Sequence, residues 1–453
     1  MSNVFEGTRF CIHTFGCQMN KHDSERVAGM LEGLGSLPVE TIEEADIVVF
    51  MTCCVREAAD TRLYGQVASM KNIPLRDGAP LDKRYIAVGG CIGQRDGDKL
   101  LAALPHLDVV FGTHNLGSLP GLLRRAIEQH GRAAEVIEGG AEFSSALPTV
   151  REHDWAAWLP ITVGCNNFCS YCIVPHVRGR ERSRPREAIV REVRELVAAG
   201  YRDITLLGQN VNSYGRGLAE PCDFATLVEE LDAIPGDWWL RFMTSHPKDA
   251  GRRLIDVMAA GRHIAPAFHL PLQSGNDRVL HAMNRHYDMA RYMDTVRYMR
   301  EKIPELTLTS DIIVGFPGET EAEFEDTLRA LSDIRFDMIY SFIYSPRKGT
   351  PAAEMEQVPE EVQKNRFARM LELQNGVSME KNQPLVGKTL RVLCDGVSKS
   401  NADLWTGRTA GNKSVFFPGS PDTTPVGQFI PVRIERAAPF ALYGKAENPA
   451  DIL

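Results

Sequence analysis

Three cysteines, Cys165, Cys169 and Cys172, lie within eight residues in the spacing C-x3-C-x2-C. Three thiolates this close together can bind one iron–sulfur cluster. A four-iron cluster needs four ligands, so one iron is left without a protein thiolate. An open metal position admits a substrate or cosubstrate, as in catalytic metal sites. The spacing therefore predicts a catalytic metal centre.

Two other uses of these cysteines are open. A zinc knuckle needs a fourth Cys or His, and His176 follows Cys172 by four residues. A disulfide would leave one of the three thiols unpaired. The cluster is favoured because the spacing resembles the signature of the radical S-adenosylmethionine (SAM) enzymes. In that superfamily SAM chelates the open iron, and an electron from the cluster splits SAM into methionine and a 5′-deoxyadenosyl radical.

The composition indicates a cytoplasmic protein of several domains. The chain has 453 residues, enough for about two to four domains, and 43% of them are hydrophobic, as in ordinary globular proteins. No run approaches the roughly 18 apolar residues of a membrane span, and no secretory signal is visible at the N-terminus. Ten cysteines in such a chain indicate a reducing cytosol and metal binding.

The first 130 residues read as strands alternating with helices, which predicts an open parallel α/β sheet. The first helix has Ser24 as its candidate cap and Gly35 as its stop. The predicted strands cover residues 9–15, 46–51, 85–88 and 108–111.

Cys17, Cys53 and Cys91 each lie just beyond the carboxyl end of a different predicted strand. Ligands bind at that edge of open α/β sheets, so three thiols distant in sequence would converge there. We interpret them as the ligands of a second iron–sulfur cluster, again with one open iron. The alternative is three buried structural cysteines, since Cys is a common core residue.

A linker is predicted at residues 131–154, and a second strand–helix array at residues 155–383. Its six strand–helix units predict a partial (β/α)6 barrel rather than a closed eight-unit one. Barrel active sites lie at the carboxyl ends of the strands. The candidate cofactor-binding residues there are Gln209, Asn210, Ser245, His246, Gln273 and Asp311, with Tyr171 between the cysteines.

From residue 384 onward, short strands separated by Gly and Pro predict a small antiparallel β-barrel that extends to residue 453. This segment carries eight Lys and Arg against six Asp and Glu. Barrels of this size commonly bind nucleic acid, and a purely structural appendage is the alternative.

A run of arginines at every second position predicts a local basic site, although the net charge of −8 argues against a non-specific nucleic-acid coat. In an extended segment this period places the side chains on one face. The alternative is a solvated run paired with Glu181 and Glu187. The candidates for binding nucleic acid are Arg178, Arg180, Arg182 and Arg184, and Arg186 continues the period.

The cysteine motifs resemble those of the methylthiotransferase family over nearly the whole chain. The motifs F-G-C-Q-M-N (15–20), T-C-C-V-R-E (52–57) and G-C-I-G-Q (90–94) resemble the three cluster motifs of its N-terminal domain. Met51 stands where Asn is usual and Cys54 where Ala is common, and alignment with Thr52 favours Cys53 as the ligand. Residues 164–184 look most like the branch that modifies isopentenylated tRNA.

The resemblance implies an N-terminal methylthiotransferase domain, a radical SAM core and a C-terminal TRAM domain that binds tRNA. It implies two [4Fe-4S] clusters and SAM. The reaction would add CH3–S to C2 of a modified adenosine on the 3′ side of the anticodon. One SAM would methylate a sulfur held at the N-terminal cluster, and a second would yield the radical that abstracts hydrogen from the substrate.

The implied partners are a tRNA anticodon stem-loop, an electron donor such as flavodoxin or ferredoxin, and a sulfur donor, with the enzyme itself a monomer and no membrane involved. Two other methylthiotransferase substrates are open: threonylcarbamoyl-adenosine in tRNA, and an aspartate of a ribosomal protein. The alternative from another class is a non-catalytic iron–sulfur carrier.

Overall fold

The computed structural model describes residues 3–54, 57–139, 147–420 and 424–447. Residues 140–146 of the predicted linker, 421–423 and 448–453 of the predicted β-barrel, and Val55 and Arg56 of the second cysteine motif lie outside these ranges. The chain divides into two compact units. The first comprises residues 1–152, 163–168 and 172–182, and the second comprises residues 153–162, 169–171 and 183–453.

The first unit is built on a six-stranded parallel sheet with the order β2-β1-β3-β4-β5-β6. The four predicted strands are present, as β1, β3, β4 and β5. β2 and β6 were not predicted, because two or three residues are too few to show a pattern. In chain order the elements are β1 (Arg9–Thr14), α1 (Gln18–Glu32), β2 (Leu37–Pro38), β3 (Ile47–Thr52), α2 (Glu57–Ser69), β4 (Tyr85–Gly90), α3 (Cys91–Asp96), α4 (Asp98–Ala103), β5 (Val109–Phe111), α5 (Leu119–Glu128) and β6 (Ala133–Glu135).

Helix α1 begins earlier than predicted, with Cys17 rather than Ser24 as its N-cap. Ser24 lies inside the helix, buried, and its hydroxyl donates to the carbonyl oxygen of Asn20 at 2.9 Å. The helix ends at Glu32, before Gly35. Because the N-terminus of a helix carries partial positive charge, the true start places Cys17 where a thiolate is stabilised.

The cysteine segment lies between two short strands that pair with each other, β8 and β9. Within it, a single helical turn, α6, belongs to the first unit. The bounds are β7 (Ala156–Pro160), β8 (Thr162–Val163), α6 (Val174–Val177) and β9 (Arg182–Ser183).

The second unit contains the predicted partial barrel. Its six strands form two parallel sheets, β11-β10-β7 and β12-β13-β14, which a parallel bridge between Leu240 and Ile264 connects. Side chains from strands and helices share one apolar core. The elements are α7 (Arg186–Ala198), β10 (Asp203–Leu207), α8 (Phe224–Asp232), β11 (Trp239–Phe242), α9 (Arg252–Ala260), β12 (Ala267–His269), α10 (Asp277–Ala282), α11 (Met289–Lys302), β13 (Thr307–Val314), α12 (Glu321–Ile334) and β14 (Met338–Ile343).

A long helix, α13 (Glu360–Asn382), leads from this barrel to a closed five-stranded one of order β15-β16-β17-β19-β18. The smaller barrel was predicted as antiparallel, but β17 and β19 pair in parallel. Its strands are β15 (Thr389–Val397), β16 (Trp405–Thr409), β17 (Ser414–Phe417), β18 (Phe429–Ala438) and β19 (Ala441–Ala446). No helix among the described residues has the length and apolar character needed to cross a membrane.

Candidate metal centres and cofactor site

Cys17, Cys53 and Cys91 lie at the carboxyl edge of the six-stranded sheet. Cys17 follows β1, Cys53 follows β3, and Cys91 opens α3 directly after β4. β1, β3 and β4 are neighbours in the sheet, so the topology places the three cysteines at adjacent strand ends, as the sequence predicts. Cys17 is exposed, whereas Cys53 and Cys91 are buried. Cys17 is thus the exposed member of the trio.

The thiols of this region approach one another in pairs. A hydrogen bond with Cys53 lowers the pKa of Cys17 to about 5. A hydrogen bond with Cys54 lowers the pKa of Cys91 to about 6, and the same bond raises the pKa of Cys54. Across the described ranges, no three Cys, His, Asp or Glu side chains are grouped as a complete metal site. Both thiols of the second motif thus adjoin a proposed ligand, Cys53 beside Cys17 and Cys54 beside Cys91.

Two glycines allow the strand ends to approach this closely. Gly16 has φ +103°, and a Cβ there would lie 2.3 Å from the Cβ of Cys53. Gly90 has φ +85°, and a Cβ there would lie 2.6 Å from the carbonyl oxygen of Thr52. Only glycine combines such a backbone with such a contact. The glycine before each cysteine in the first and third motifs thus has a packing reason.

A buried asparagine joins the loops that carry the cysteines. The amide nitrogen of Asn20 donates to the carbonyl oxygens of Phe15 at 2.7 Å and Thr52 at 2.8 Å. Its Oδ1 accepts from Nη2 of Arg178 at 2.8 Å. Asn20 therefore fixes the loop after β1 to the loop after β3, a role that the sequence motif alone did not reveal.

Arg178 was predicted to contact nucleic acid on an exposed strand face, and this prediction is wrong. Its side chain is 4% exposed, forms an ion pair with Asp23 at 3.2 Å, and hydrogen-bonds to Cys91. Its charge lowers the pKa of Cys17 as well. Arg178 is thus part of the surroundings of the cysteine trio.

Arg184 is buried as well, in an ion pair with Glu192 at 2.7 Å. The five arginines therefore do not share one face. Arg180 is exposed, with its guanidinium 4.5 Å from the ring centre of Phe168, and Arg182 is half-buried in β9. Arg180 and Arg182 remain the candidates for binding nucleic acid.

The second trio, Cys165, Cys169 and Cys172, lies in the loop between β8 and α6. The backbone N–H of Cys165 donates to the carbonyl oxygen of Gly179 at 3.1 Å. The hydroxyl of Ser170 donates to the carbonyl oxygen of Ala282 at 2.8 Å. The loop is therefore fixed by hydrogen bonds on both sides of Cys169. His176, the candidate fourth zinc ligand, is exposed and lies edge-on to Phe168.

Arg285 contacts this second trio, which no sequence pattern indicated. Its Nη1 donates to Sγ of Cys169 at 3.4 Å, and its side chain is 6% exposed. The two residues are far apart in sequence, so only the fold brings them together.

The predicted cofactor residues divide into two groups. Ser245 and His246 are buried at the end of β11, and Ser245 Oγ and His246 Nε2 have no hydrogen-bond partner in the structure. Burial lowers the pKa of His246, so the imidazole is neutral. Asn210 holds it in place, since its Oδ1 accepts from the backbone N–H of His246 at 3.1 Å.

The remaining candidates are placed differently. Gln209 is half-buried after β10, and Tyr171 is half-buried against Phe316 and its neighbours. Asp311 lies within β13 rather than at its end, with its carboxylate 3.4 Å from Nε2 of His269. Gln273 is buried with φ +72°. A left-handed backbone at a non-glycine residue stores strain, and such residues concentrate at functional sites.

Three family profiles match the chain: the Radical SAM superfamily at residues 159–331, the uncharacterized protein family UPF0004 at residues 9–112, and the TRAM domain at residues 383–446. The tRNA-2-methylthio-N(6)-dimethylallyladenosine synthase of Carboxydothermus hydrogenoformans is 46% identical over 438 residues, which cover 96% of this chain and 98% of that protein. The synthase of the same name from Desulforamulus reducens is 43% identical over 448 residues, 98% and 97% of the two chains.

The chain belongs to this synthase family. It is therefore a radical SAM methylthiotransferase, and the zinc-knuckle and non-catalytic carrier alternatives are wrong. The structure of the radical SAM methyltransferase TsrM from Kitasatospora setae, with tryptophan and a SAM analog bound, is similar with a TM-score of 0.53 at 13% identity. That similarity covers 77% of this chain and 75% of that one, and it concerns the fold alone.

The residues of this synthase-family chain fit [4Fe-4S] clusters and SAM. Thiolates are the ligands of such clusters, and a four-iron cluster held by three thiolates has one iron open. Ser245 Oγ and His246 Nε2 are buried polar atoms without a protein partner, and native proteins seldom leave such atoms unsatisfied. A polar cofactor at the strand ends would satisfy them.

Proposed function

We propose that this protein adds CH3–S to C2 of N6-dimethylallyladenosine beside the anticodon of tRNA, in the cytoplasm. The observation that carries the proposal is the 43–46% identity to synthases of that name over nearly the full length of both chains. The two cysteine trios and the TRAM barrel support it. An external electron donor such as flavodoxin or ferredoxin, a sulfur donor, and a monomeric enzyme complete the proposal.

We assign Cys165, Cys169 and Cys172 to the cluster that binds SAM, and Cys17, Cys53 and Cys91 to the auxiliary cluster. The C2–H bond of adenine has no acidic proton, so acid–base side chains cannot break it and a cofactor is needed. When bound, the two clusters and SAM supply a carbon radical and a methylated sulfur.

The protein's own groups bind and orient the cofactors. Neutral His246, together with Ser245, offers uncharged polar atoms to SAM, and Asn210 keeps the His246 backbone in place. Asn20 and the glycines at 16 and 90 hold the auxiliary cysteines at adjacent strand ends.

Two surfaces are suited to RNA. Arg180 is exposed over the ring of Phe168. On the small barrel, Phe416 stacks on Tyr443 with ring centres 5.5 Å apart, and Arg436 lies over Tyr443 at 3.7 Å. Aromatic rings stack bases, and arginines neutralise phosphates. We propose that these groups contact the anticodon stem-loop.

Single-cysteine variants test the assignment of the two trios. Cys165→Ala should abolish formation of 5′-deoxyadenosine under anaerobic reduction. Cys53→Ala should keep that cleavage but lose 2-methylthio product in mass spectrometry of tRNA nucleosides. Cys54→Ala is the matched control and should retain product. Product from the Cys53 variant with none from the Cys54 variant would transfer the ligand role to Cys54.

The same mass spectrometry tests the substrate. Modification of dimethylallyladenosine is expected, and product on threonylcarbamoyl-adenosine alone would contradict the proposal. For RNA binding, Arg180→Gln with Arg182→Gln should weaken tRNA affinity and flatten its dependence on salt. Arg297→Gln removes a charge from an exposed side chain and serves as the control. Equal salt slopes in all proteins would remove Arg180 and Arg182 from the interface.

A further inference from the structure

Arg285 is a buried cation whose partners in the protein are mostly neutral. Nε donates to the hydroxyl of Tyr287 at 3.3 Å, and Nη2 donates to the carbonyl oxygen of Pro271 at 3.1 Å. The guanidinium also donates from Nη1 to Sγ of Cys169 at 3.4 Å. The side chain is almost completely removed from water.

Cys169 is therefore the contact of Arg285 that would carry a negative charge when it binds a metal. The side chains that interact with it most strongly are Tyr287, Tyr171 and Cys169, and none of these is a carboxylate. A phenol is neutral near pH 7. A buried charge without a counter-ion is strongly unfavourable. Cysteines bind metals as thiolates, so Cys169 as a cluster ligand would be the anion beside Arg285.

Arg178 provides an internal comparison at the other trio. It also hydrogen-bonds to a cysteine, Cys91, but Asp23 already lies 3.2 Å away and balances its charge. The Arg178–Asp23 pair is neutral as a whole. Arg285 has no such carboxylate among its hydrogen-bond partners, so its charge can act on Cys169 and on a cluster bound there.

We propose that Arg285 is a positioning residue that holds the Cys169 thiolate and raises the reduction potential of the cluster at Cys165, Cys169 and Cys172. Adding an electron adds negative charge to the cluster, and a nearby fixed cation with an N–H···S bond favours that state. This inference rests on the proposed assignment of that trio to the SAM-binding cluster.

The contacts of Tyr287 support a role at the cofactor rather than in packing alone. Its hydroxyl donates to the carbonyl oxygen of Leu272 at 2.6 Å, and its ring lies edge-on to His246 at 5.7 Å. Arg285, Tyr287 and His246 are therefore contiguous, from Cys169 to the unpartnered Nε2 at the end of β11.

The test is a redox titration of the full-length, cluster-loaded enzyme, followed by electron paramagnetic resonance. The change in signal when SAM is added identifies the SAM-binding cluster. In Arg285→Gln the ratio of reduced to oxidised cluster at a fixed potential should fall about tenfold, which is about 59 mV for one electron. Arg285→Lys, which keeps the charge, should stay near wild type, as should the surface control Arg297→Gln. An unchanged midpoint in fully loaded Arg285→Gln would overturn the proposal.

A second measurement decides the matter if Arg285→Gln loads poorly. Thermal unfolding is recorded for wild type and variant, with the clusters in place and after chelation. The rise in Tm that loading produces should shrink in the variant, while its stripped form should be no less stable than stripped wild type. An equal loss of Tm in both forms would assign Arg285 to support of the Pro271 backbone and refute its action on the cluster.

Failure of the underlying assignment would look different. A SAM-sensitive signal that persists in Cys169→Ala would show that the cluster lies elsewhere, whatever Arg285 does.

Discussion

Replacing Gly16 by alanine should remove the auxiliary cluster and leave the SAM-binding cluster intact. The new Cβ would lie 2.3 Å from Cβ and 2.9 Å from Sγ of Cys53. Non-bonded carbon atoms are in favourable contact at about 3.5–4.0 Å, so the two groups must separate by more than about 1 Å. The positive φ adds a backbone strain of about 1–2 kcal/mol for a residue with a Cβ.

The size of that displacement decides the outcome. Metal–ligand distances are met within about 0.2 Å, so a cysteine displaced by about 1 Å cannot remain in place as a ligand. The strain alone would lower stability modestly. Gly78 separates the two effects, because it has φ +70° and no atom within 4 Å of a Cβ added there.

The assay compares iron and sulfide per chain after anaerobic reconstitution of Gly16→Ala and Gly78→Ala. The first should bind about half as much of each as wild type, should still form 5′-deoxyadenosine and should give no 2-methylthio product. The second should match wild type. Full loading and normal product from Gly16→Ala would refute the steric reasoning.

Three further outcomes are expected. Asn20→Ala removes three hydrogen bonds and should lower the free energy of unfolding by about 3 kcal/mol, at about 1 kcal/mol for each bond, and a loss below about 1 kcal/mol in denaturant titration would contradict this. Burial lowers the pKa of His22 to about 4; the unfolded chain therefore takes up a proton that the folded chain does not. The stability that neutral His22 contributes is complete above about pH 6.5 and is lost as the pH falls toward 4, at about 1.4 kcal/mol per pH unit. His22→Gln should flatten this dependence of the free energy of unfolding on pH. Gly121→Ala on the exposed side of α5 meets no atom within 4 Å and should raise the free energy of unfolding by about 0.5–1 kcal/mol.

The larger elements were predictable because their patterns are long. Helix α7 has the predicted bounds, since Pro185 precedes it and apolar residues recur along it with helical spacing. The strands that precede the three N-terminal cysteines were predicted from short apolar runs, followed by Gly-Cys in the first and third motifs and by Thr-Cys in the second. Strands β16 and β19 were missed, because residues 405–409 and 441–446 lack a clear alternation.

The period-two spacing of the arginines did not predict which of them share a face, because the segment is not extended throughout. Arg178 follows the helical turn α6, and Gly179 then turns the backbone with φ +71°, so the segment is extended only at β9. One such turn is enough to rotate Arg178 out of the face that Arg180 occupies. Gly179 is the residue of the sequence that could have indicated this break in the extended segment.

The contact between Arg285 and Cys169 had no local signal, because its cause is tertiary. Backbone hydrogen bonds join the two segments that carry these residues. One example runs from the N–H of Ser170 to the carbonyl oxygen of Met283 at 3.0 Å. Sequence spacing therefore indicated candidate ligands but not the charged side chains beside them.

Within the first unit, one short segment connects Cys172 to the surroundings of Cys91. Helix α6 begins two residues after Cys172 and packs against α3, whose first residue is Cys91. Ile173 and Val177 lie in the same apolar cluster as Cys91. Arg178 then follows α6 directly and hydrogen-bonds to Cys91. Because only five residues lie between Cys172 and that arginine, we expect a change that displaces α6 to act on proposed ligands of both clusters.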